Sequence, residues 1–584
     1  MLAPDDRSML LDLLAPPEDC ELDAAVAVTY SLDLETLLSV PTAFAVTGAI
    51  GEDGLKADLA PVELLDALRT HASKLTICCD SAAVKVPARA GAAIFGLLDT
   101  CLLPVVAPRG GAFHPKMWIA RYVDASGSPI HRILVSSRNL TFDRSWDIIV
   151  SLEEETGGVP LPAAADFLVT LAAQGLTVSP ADERHTSRME DLADAVRRAR
   201  FASPAGFDDM RLHLLGLSPQ RRTPSPLPPA AHRALVVSPF LARHAVESIP
   251  VDWDQLVCVS RPDQLEAQLG PLVHEGFEID GRVLNPAADD GAPESGSLSG
   301  LHAKLWVHDL GGGRSSVHVG SANATNAAFD SNVEVLLELK GRTRDVGTEV
   351  WLSGDDSMAP LLAEHIWNPA DVEPEDQVEA KLDEARRVIG RMRIEGEVTQ
   401  APSGRYQLHL WCHDVLPAEP GLRASVRPLA LTSWTPQKDR IDASFELEAA
   451  ALTAFVAVRL EFEGEQQDFL LVADVTGMPQ ERDGLLLAHL LADPDRLVRY
   501  LLLLLADPLL DRFDGHLQRA LERSAGLSRA SLPTVPLLEV MVRALVRRPQ
   551  RLKDVDRLIG ELKAGSDLLD ADLADMWDSV RHVA

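Results

Sequence analysis

Two stretches of this chain carry nearly the same residues at nearly the same spacing. One reads Phe113-His114-Pro115-Lys116-Met117-Trp118 and is followed by Ser137-x-Asn139 and then by Asp147. The other reads Leu301-His302-Ala303-Lys304-Leu305-Trp306 and is followed by Ser321-x-Asn323 and then by Glu334. These types suit a phosphodiester. One imidazole can attack phosphorus and form a phosphohistidine, while a second protonates the leaving oxygen and later activates water. Two lysines and two Asn amides can neutralise and hydrogen-bond the non-bridging oxygens, where charge gathers in the transition state. A carboxylate on the far ring nitrogen fixes the tautomer. Protein cations supply the positive charge, so neither a metal nor another cofactor is expected. A single His-x-Lys says little in a chain with 17 His and 55 Lys and Arg. Two copies in one order, each with Trp at the same offset, can build one symmetric site from two halves.

Strands must position these groups. Residues two apart on a strand share a face, which groups His114, Lys116 and Trp118, and likewise His302, Lys304 and Trp306. Ile133-Leu134-Val135 and Val317-His318-Val319 read as neighbouring strands that end in the Ser-x-Asn units. Ile148–Leu152 and Val335–Leu337 read as third strands behind the two acids. Upstream, Ala25–Tyr30 and Leu75–Cys79 read as strands matched by Ala234–Ser238 and Leu256–Ser260, with Ala27 aligned to Ala234. Thr42–Val46 reads as a further strand, and Ala60–Thr70 as an amphipathic helix.

The pattern H-x-K…[GS]-S-x-N…[DE], present twice over residues 25 to 345, resembles the phospholipase D superfamily. The second copy carries the full signature, His302-x-Lys304 followed by Asp309 and then Gly320-Ser321-x-Asn323. The first copy departs from it, with Arg121 at the aspartate position and Ser136 at the glycine. The resemblance implies that both halves form one site at a pseudo-twofold interface, with one His as nucleophile and His114 favoured for that role. It also implies that Arg121 is tolerated, because the family aspartate lies outside the reacting centre. Ser137, Ser321, Arg109 and Arg138 are the candidate substrate-binding residues.

The fold class expected is α/β: duplicated phospholipase D-like mixed-sheet halves, then a small β-sandwich and an α-helical C-terminal domain. The boundaries read are 1–215 for the first half, 216–231 for a Pro-rich linker and 232–345 for the second half. Residues 346–392 read as a helical connector, 393–478 as the β-sandwich-like domain and 479–584 as the helical domain. Within the last, helices are expected near Leu485–Leu491, Leu497–Leu505, Val535–Val546 and Val555–Leu562. The six Cys show no C-x-x-C spacing and read as reduced and inert. Without a leader or a long apolar run, the location expected is cytoplasmic, with no membrane insertion.

The net charge of −32 argues against strong autonomous affinity for nucleic acid, so binding must be local or assisted. The reading favoured is a metal-independent nuclease that cuts DNA or RNA, with DNA favoured. The layout resembles bacterial members of the superfamily associated with anti-phage defence, which implies an ATPase or helicase partner. A homo-oligomer is compatible with the sequence. A soluble phospholipase or phosphatidyltransferase is one alternative; a non-catalytic scaffold or nucleic-acid-binding subunit is the other.

Overall fold

The computed structural model describes residues 10–45, 61–88, 93–141, 145–269 apart from 174 and 221, 275–279, 300–367 apart from 355, 377–491, 555–560 and 577. The expected helices Leu497–Leu505 and Val535–Val546 lie outside these residues.

Two mixed sheets carry the chemistry. The first comprises β1 (Cys20–Thr29), β2 (Leu75–Asp80), β3 (Leu102–Val105), β4 (Met117–Asp124), β5 (Pro129–Ser136) and β6 (Ile149–Val159), in the order β3-β2-β1-β4-β5-β6. The second comprises β7 (Phe207–Leu215), β8 (Arg233–Val237), β9 (Leu256–Val259), β10 (Glu275–Ile279), β11 (Leu305–Leu310), β12 (Arg314–Gly320), β13 (Glu334–Arg342) and β14 (Leu362–Glu364). Its order is β14-β10-β9-β8-β11-β12-β13-β7. In both, three parallel strands meet an antiparallel meander. β1 runs parallel to β2 and antiparallel to β4, as β8 runs parallel to β9 and antiparallel to β11. Register fixes the equivalences. Ala25 pairs with Leu75 and Val28 with Met117, while Ala234 pairs with Leu256 and Val237 with Leu305. Ala25, not Ala27, therefore matches Ala234. Small apolar residues recur every two positions along β1, so the sequence alone allows the slip.

The sheets stack through their inner faces. Val26, Val28, Met117, Ile119, Ile133 and Val135 share one core with Leu235, Val237, Leu305, Val307, Val317 and Val319. The outer faces are covered separately. Trp118 packs under the helices Leu34–Ala45 and Pro61–His71, and Trp306 packs with Val246, Ile249 and Leu265. The segment read as a strand at Thr42–Val46 is, through Ala45, the end of the helix Leu34–Ala45, which continues past Pro41. Its buried Leu34, Leu37, Val40 and Phe44 hold one face against the core, and that packing overrides the break expected at proline.

Three expected boundaries move. Strand β7, assigned to the first half, pairs along β13 of the second sheet from Glu334↔Leu215 to Gly341↔Phe207. It covers an edge that would otherwise expose unpaired backbone groups. Strand β14, assigned to the helical connector, closes the other side of that sheet against β10. The C-terminal β-region does form two sheets over a shared core that includes Val398, Leu408, Val426 and Val458. One of them, however, continues into Leu32–Asp33 and Val84–Lys85 of the first half, with Leu470 paired to Val84. It is not a free-standing sandwich. The helix Gln377–Gly390 joins the same contact, where Gly390 lies against Ala82.

Gly111 lies close against the second half, since a Cβ there would fall 2.5 Å from the Ser331 carbonyl carbon and oxygen. Gly111→Ala is expected to lower stability by about 1–3 kcal/mol through overpacking, read as a fall in urea midpoint. An unchanged midpoint would mean that this contact is looser than described.

Candidate active site

Both His-x-Lys units sit just before their strands, not within them: β4 begins at Met117 and β11 at Leu305. The reason is a crossing. Phe113 forms a parallel bridge with Val333, and Leu301 forms the equivalent bridge with Trp146. The His114 amide donates to the Val333 carbonyl at 2.9 Å, and the His302 amide to the Trp146 carbonyl at 2.8 Å. Each histidine is thus held by the residue that precedes the acid of the opposite half.

The side chains follow the same exchange. His114 Nδ1 meets Glu334 Oε2 at 2.9 Å, so the carboxylate on this ring comes from the other half, not from its own copy of the motif. Spacing along the chain could not show which acid meets which ring. With Nδ1–H directed at Glu334, the Nε2 lone pair is the one left to react. Glu334 is fully buried and is further held by Ser321 Oγ and by Asn332 Nδ2 at 3.1 Å. His302 Nδ1 faces the Ser137 carbonyl at 3.4 Å. Asp147 occupies the position equivalent to Glu334: Ile148 bonds Ser137 as Val335 bonds Ser321. Its carboxylate lies 3.6 Å from Arg138 Nε.

The two lysines are the most deeply enclosed cations here, each 1% exposed. Lys116 Nζ donates to the His114 carbonyl at 2.9 Å, and Lys304 Nζ to the His302 carbonyl at 2.7 Å. Lys304 also approaches the Ser137 carbonyl at 3.5 Å. Burial drives Lys116 well below the ordinary lysine range, and the positive charge of Lys304 adds to the effect. The lysine of one half is therefore within electrostatic reach of the lysine of the other.

The remaining candidates separate into two groups. Asn139, Arg138, Lys116 and Thr29 line one cleft in the first half. Asn139 Oδ1 accepts a long contact, 3.5 Å, from the Ser31 amide. Among the described residues, the side-chain oxygen of Asn323 is buried without a hydrogen-bond partner. Ser137 and Ser321, expected to bind substrate, are instead structural. Both are fully buried, and their hydroxyls are bonded to Ile148 and to Val335 on the adjacent strand. Arg138 is engaged by Asp147 and by the Thr141 carbonyl at 3.2 Å. Arg109 is half-buried and makes no ion pair among the described residues; beside it, Arg391 donates to the Gly110 carbonyl at 2.8 Å.

Asp309 and Arg121 stand apart from the histidines. Asp309 accepts from Ser315 Oγ at 2.7 Å and from the Thr348 amide at 3.1 Å, while Arg121 pairs with Asp23 at 2.5 Å. Two contributors escaped the sequence reading. The Tyr30 ring lies 5.1 Å from the His114 ring and 5.9 Å from Lys116 Nζ. Asn332 bonds both Glu334 and the Ala112 amide, the latter at 3.0 Å. The one sequence signal for it is its place two residues before Glu334.

Burial pulls the His114 ring down to about 4 from 6.5; Glu334 opposes that shift and Lys116 adds to it. The folded ring is therefore neutral where the unfolded ring begins to take a proton. Between pH 6.5 and 4 the unfolded chain binds more protons, so stability is whole above 6.5 and falls through that window. His185 and His308, also lowered to about 4 by burial, act in the same sense. Urea midpoints are expected to drop steadily from pH 7.5 to 5, with a shallower drop in His114→Gln. A flat profile would contradict neutral buried rings.

No protein-family model matches the chain, and no curated protein sequence does. Solved structures do. Yeast tyrosyl-DNA phosphodiesterase, a phospholipase D superfamily member, is 11% identical and matches over 59% of this chain and 88% of its own, with a TM-score of 0.34. A histidine-to-alanine mutant of that enzyme is 11% identical over 58% of this chain and 86% of its own, with a TM-score of 0.34. A histidine-to-asparagine mutant is 10% identical over 57% and 87%, with a TM-score of 0.33.

Proposed function

We propose that this chain is a metal-independent phosphodiesterase that forms a covalent phosphohistidine, and that its substrate is nucleic acid, with DNA favoured. The observation that carries the reading is the crossed pair: His114 Nδ1 on Glu334 across the two halves at 2.9 Å, repeated in backbone form at His302 and Trp146. In this reading, a site assembled by exchange supplies one nucleophile and one acid to a common anion.

The steps follow from the roles. The neutral His114 ring attacks phosphorus through Nε2 while Glu334 stabilises the imidazolium that develops. The bond to the leaving oxygen breaks as His302 delivers a proton. His302 then takes a proton from water, which attacks phosphorus and releases His114. Each lysine gives one N–H to its own histidine's carbonyl, and the two ammonium groups supply positive charge to the phosphate oxygens. The Asn139 and Asn323 amides can donate to the same oxygens. Nucleic acid is favoured over phosphatidylcholine because Arg109, on the loop leading to His114, and Arg391, which follows the helix Gln377–Gly390 and bonds that loop at Gly110, would meet phosphates that flank the scissile one. Association with an ATPase or helicase in anti-phage defence belongs to the same proposal and rests on the sequence resemblance.

The test uses labelled single- and double-stranded DNA, RNA and phosphatidylcholine in EDTA. Cleavage of a nucleic acid is expected to persist in EDTA and to fall at least about a hundredfold in both His114→Ala and His302→Ala. Bis-p-nitrophenyl phosphate separates the two roles, because nitrophenolate leaves without a proton. His302→Ala should still release a nitrophenolate burst and accumulate an acid-labile adduct, and His114→Ala should give neither. Full activity in either single variant would reject the shared site, and cleavage of phosphatidylcholine alone would reject the substrate class.

A further inference from the structure

The outer face of the second sheet holds a polar cluster unrelated to the His-x-Lys units. His308 on β11, His318 on β12, Glu338 on β13 and His213 on β7 lie on four adjacent strands. Register puts them together. His318 is directly opposite Glu338, His213 is opposite Leu336 and so diagonal to Glu338, and His308 is opposite Ser316 and diagonal to His318. One ligand atom each from His213, His318 and Glu338 lies within 4.8 Å of the others. His213 Nε2 is 2.9 Å from Glu338 Oε2, and His318 Nε2 is 4.0 Å from Glu338 Oε1. The His308 and His318 rings stand edge to face, 6.0 Å apart.

Two features point to a ligand. His308 and His318 are fully buried; among the described residues neither ring nitrogen of His308 has a hydrogen-bond partner, and the His318 ring makes no close hydrogen bond, with Glu338 at 4.0 Å and the Pro226 carbonyl beside it. The fold does not require these residues. By the register that aligns Met117 with Leu305, the first-sheet equivalents of His308, His318 and Glu338 are Ala120, Leu134 and Ser151. Ala120 and Leu134 are ordinary core residues there. The first sheet thus fills two of these positions with apolar side chains and the third with a serine, none of them a metal-ligand type, whereas the second fills all three with metal-ligand types.

We propose that His213, His318 and Glu338 bind a zinc-class divalent metal, with His308 beside it as a fourth donor or a support. Two imidazoles and a carboxylate suit such an ion. Tetrahedral bonds of about 2.0–2.1 Å place ligand atoms roughly 3.4 Å apart, within side-chain adjustment of the spacings here. Lys340 Nζ now sits 2.9 Å from Glu338 Oε1 on a side chain that is 38% exposed, so it can swing out when the metal enters. The Pro226 carbonyl approaches the His318 ring, the kind of second contact that orients a metal-bound imidazole. The ion would fasten β7 and the Pro-rich linker to the sheet.

The test is metal content and thermal midpoint of the untagged full chain, prepared with zinc and dialysed against metal-free buffer. Wild type should keep about one zinc per chain and lose thermal stability when it is stripped. It should also take Co2+ with tetrahedral absorption bands. Glu338→Gln and His213→Ala should lose the zinc and the zinc-dependent rise in midpoint. Lys340→Met, which removes the competing ammonium, should hold zinc at least as tightly as wild type; this arm stands even if the ligand variants fold poorly. No retained zinc and no zinc-dependent rise in wild type would leave only an ion-pair cluster and overturn the proposal. Zinc bound equally well by Glu338→Gln and His213→Ala would do the same.

Discussion

Everything at the candidate site depends on one crossing, in which each His-x-Lys segment leaves its own sheet and bonds to the backbone of the other. Phe113 on Val333 and Leu301 on Trp146 are the two contacts. Neither ring is placed unless both sheets are stacked. Magnitudes divide the work. Each backbone bond contributes about 0.5–1.5 kcal/mol net, whereas each Val, Leu or Ile buried between the sheets contributes about 1.5–3 kcal/mol. Apolar burial therefore holds the halves together, and the crossing bonds set how they register. Ser137 and Ser321 do related work from the sheet side, since their hydroxyls fasten the strand that bears each acid.

The electrostatics of the pocket follow from that enclosure. Two ammonium groups and a carboxylate are removed from water together, an arrangement that costs desolvation unless the charges offset one another. Glu334 offsets part of it, and the mutual repulsion of Lys116 and Lys304 adds to it. A phosphodiester between the lysines would supply the missing negative charge and raise their proton affinity as it binds. The chain as a whole carries a charge of −32, so this attraction is local and would be felt only at close range. In the proposed function, recognition would depend on the short-range cluster of Lys116, Lys304 and the nearby arginines.

The duplicated motif and its strands were legible because period-two alternation and a repeated order survive in the sequence. What was not legible concerns which elements meet. Glu334 sits in the second copy of the motif yet serves the ring of the first, and no spacing rule encodes that exchange. Ser-x-Asn gives serine and amide equal weight, but only the fold shows that the serine oxygens are consumed by neighbouring strands. Strand β7 alternates as any half-buried strand does, and the edge it covers is known only from the sheet order. Tyr30 enters through a turn at the end of β1, where sequence carries no mark of it. The α/β class with mixed sheets followed from local pattern; the partnership between halves, and the extension of the C-terminal sheet into the first half, are tertiary.

The second sheet shows how such a duplication can diverge without disturbing its shared purpose. Inner-face positions are apolar in both copies, because the same interface uses both. Outer-face positions answer to different covers: helices over β4 and β5, and the Pro-rich linker with β7 beside β12 and β13. The outer face carries His308, His318 and Glu338, where β7 brings His213. An ion held there would act on the stability of the scaffold through β13, which carries Glu334, and β11, which begins just after Lys304. Chelation would then reach the candidate active site indirectly, by loosening β13. Loss of cleavage in chelator would not by itself argue for metal in the chemistry; that distinction depends on whether the chain remains folded when the ion is removed.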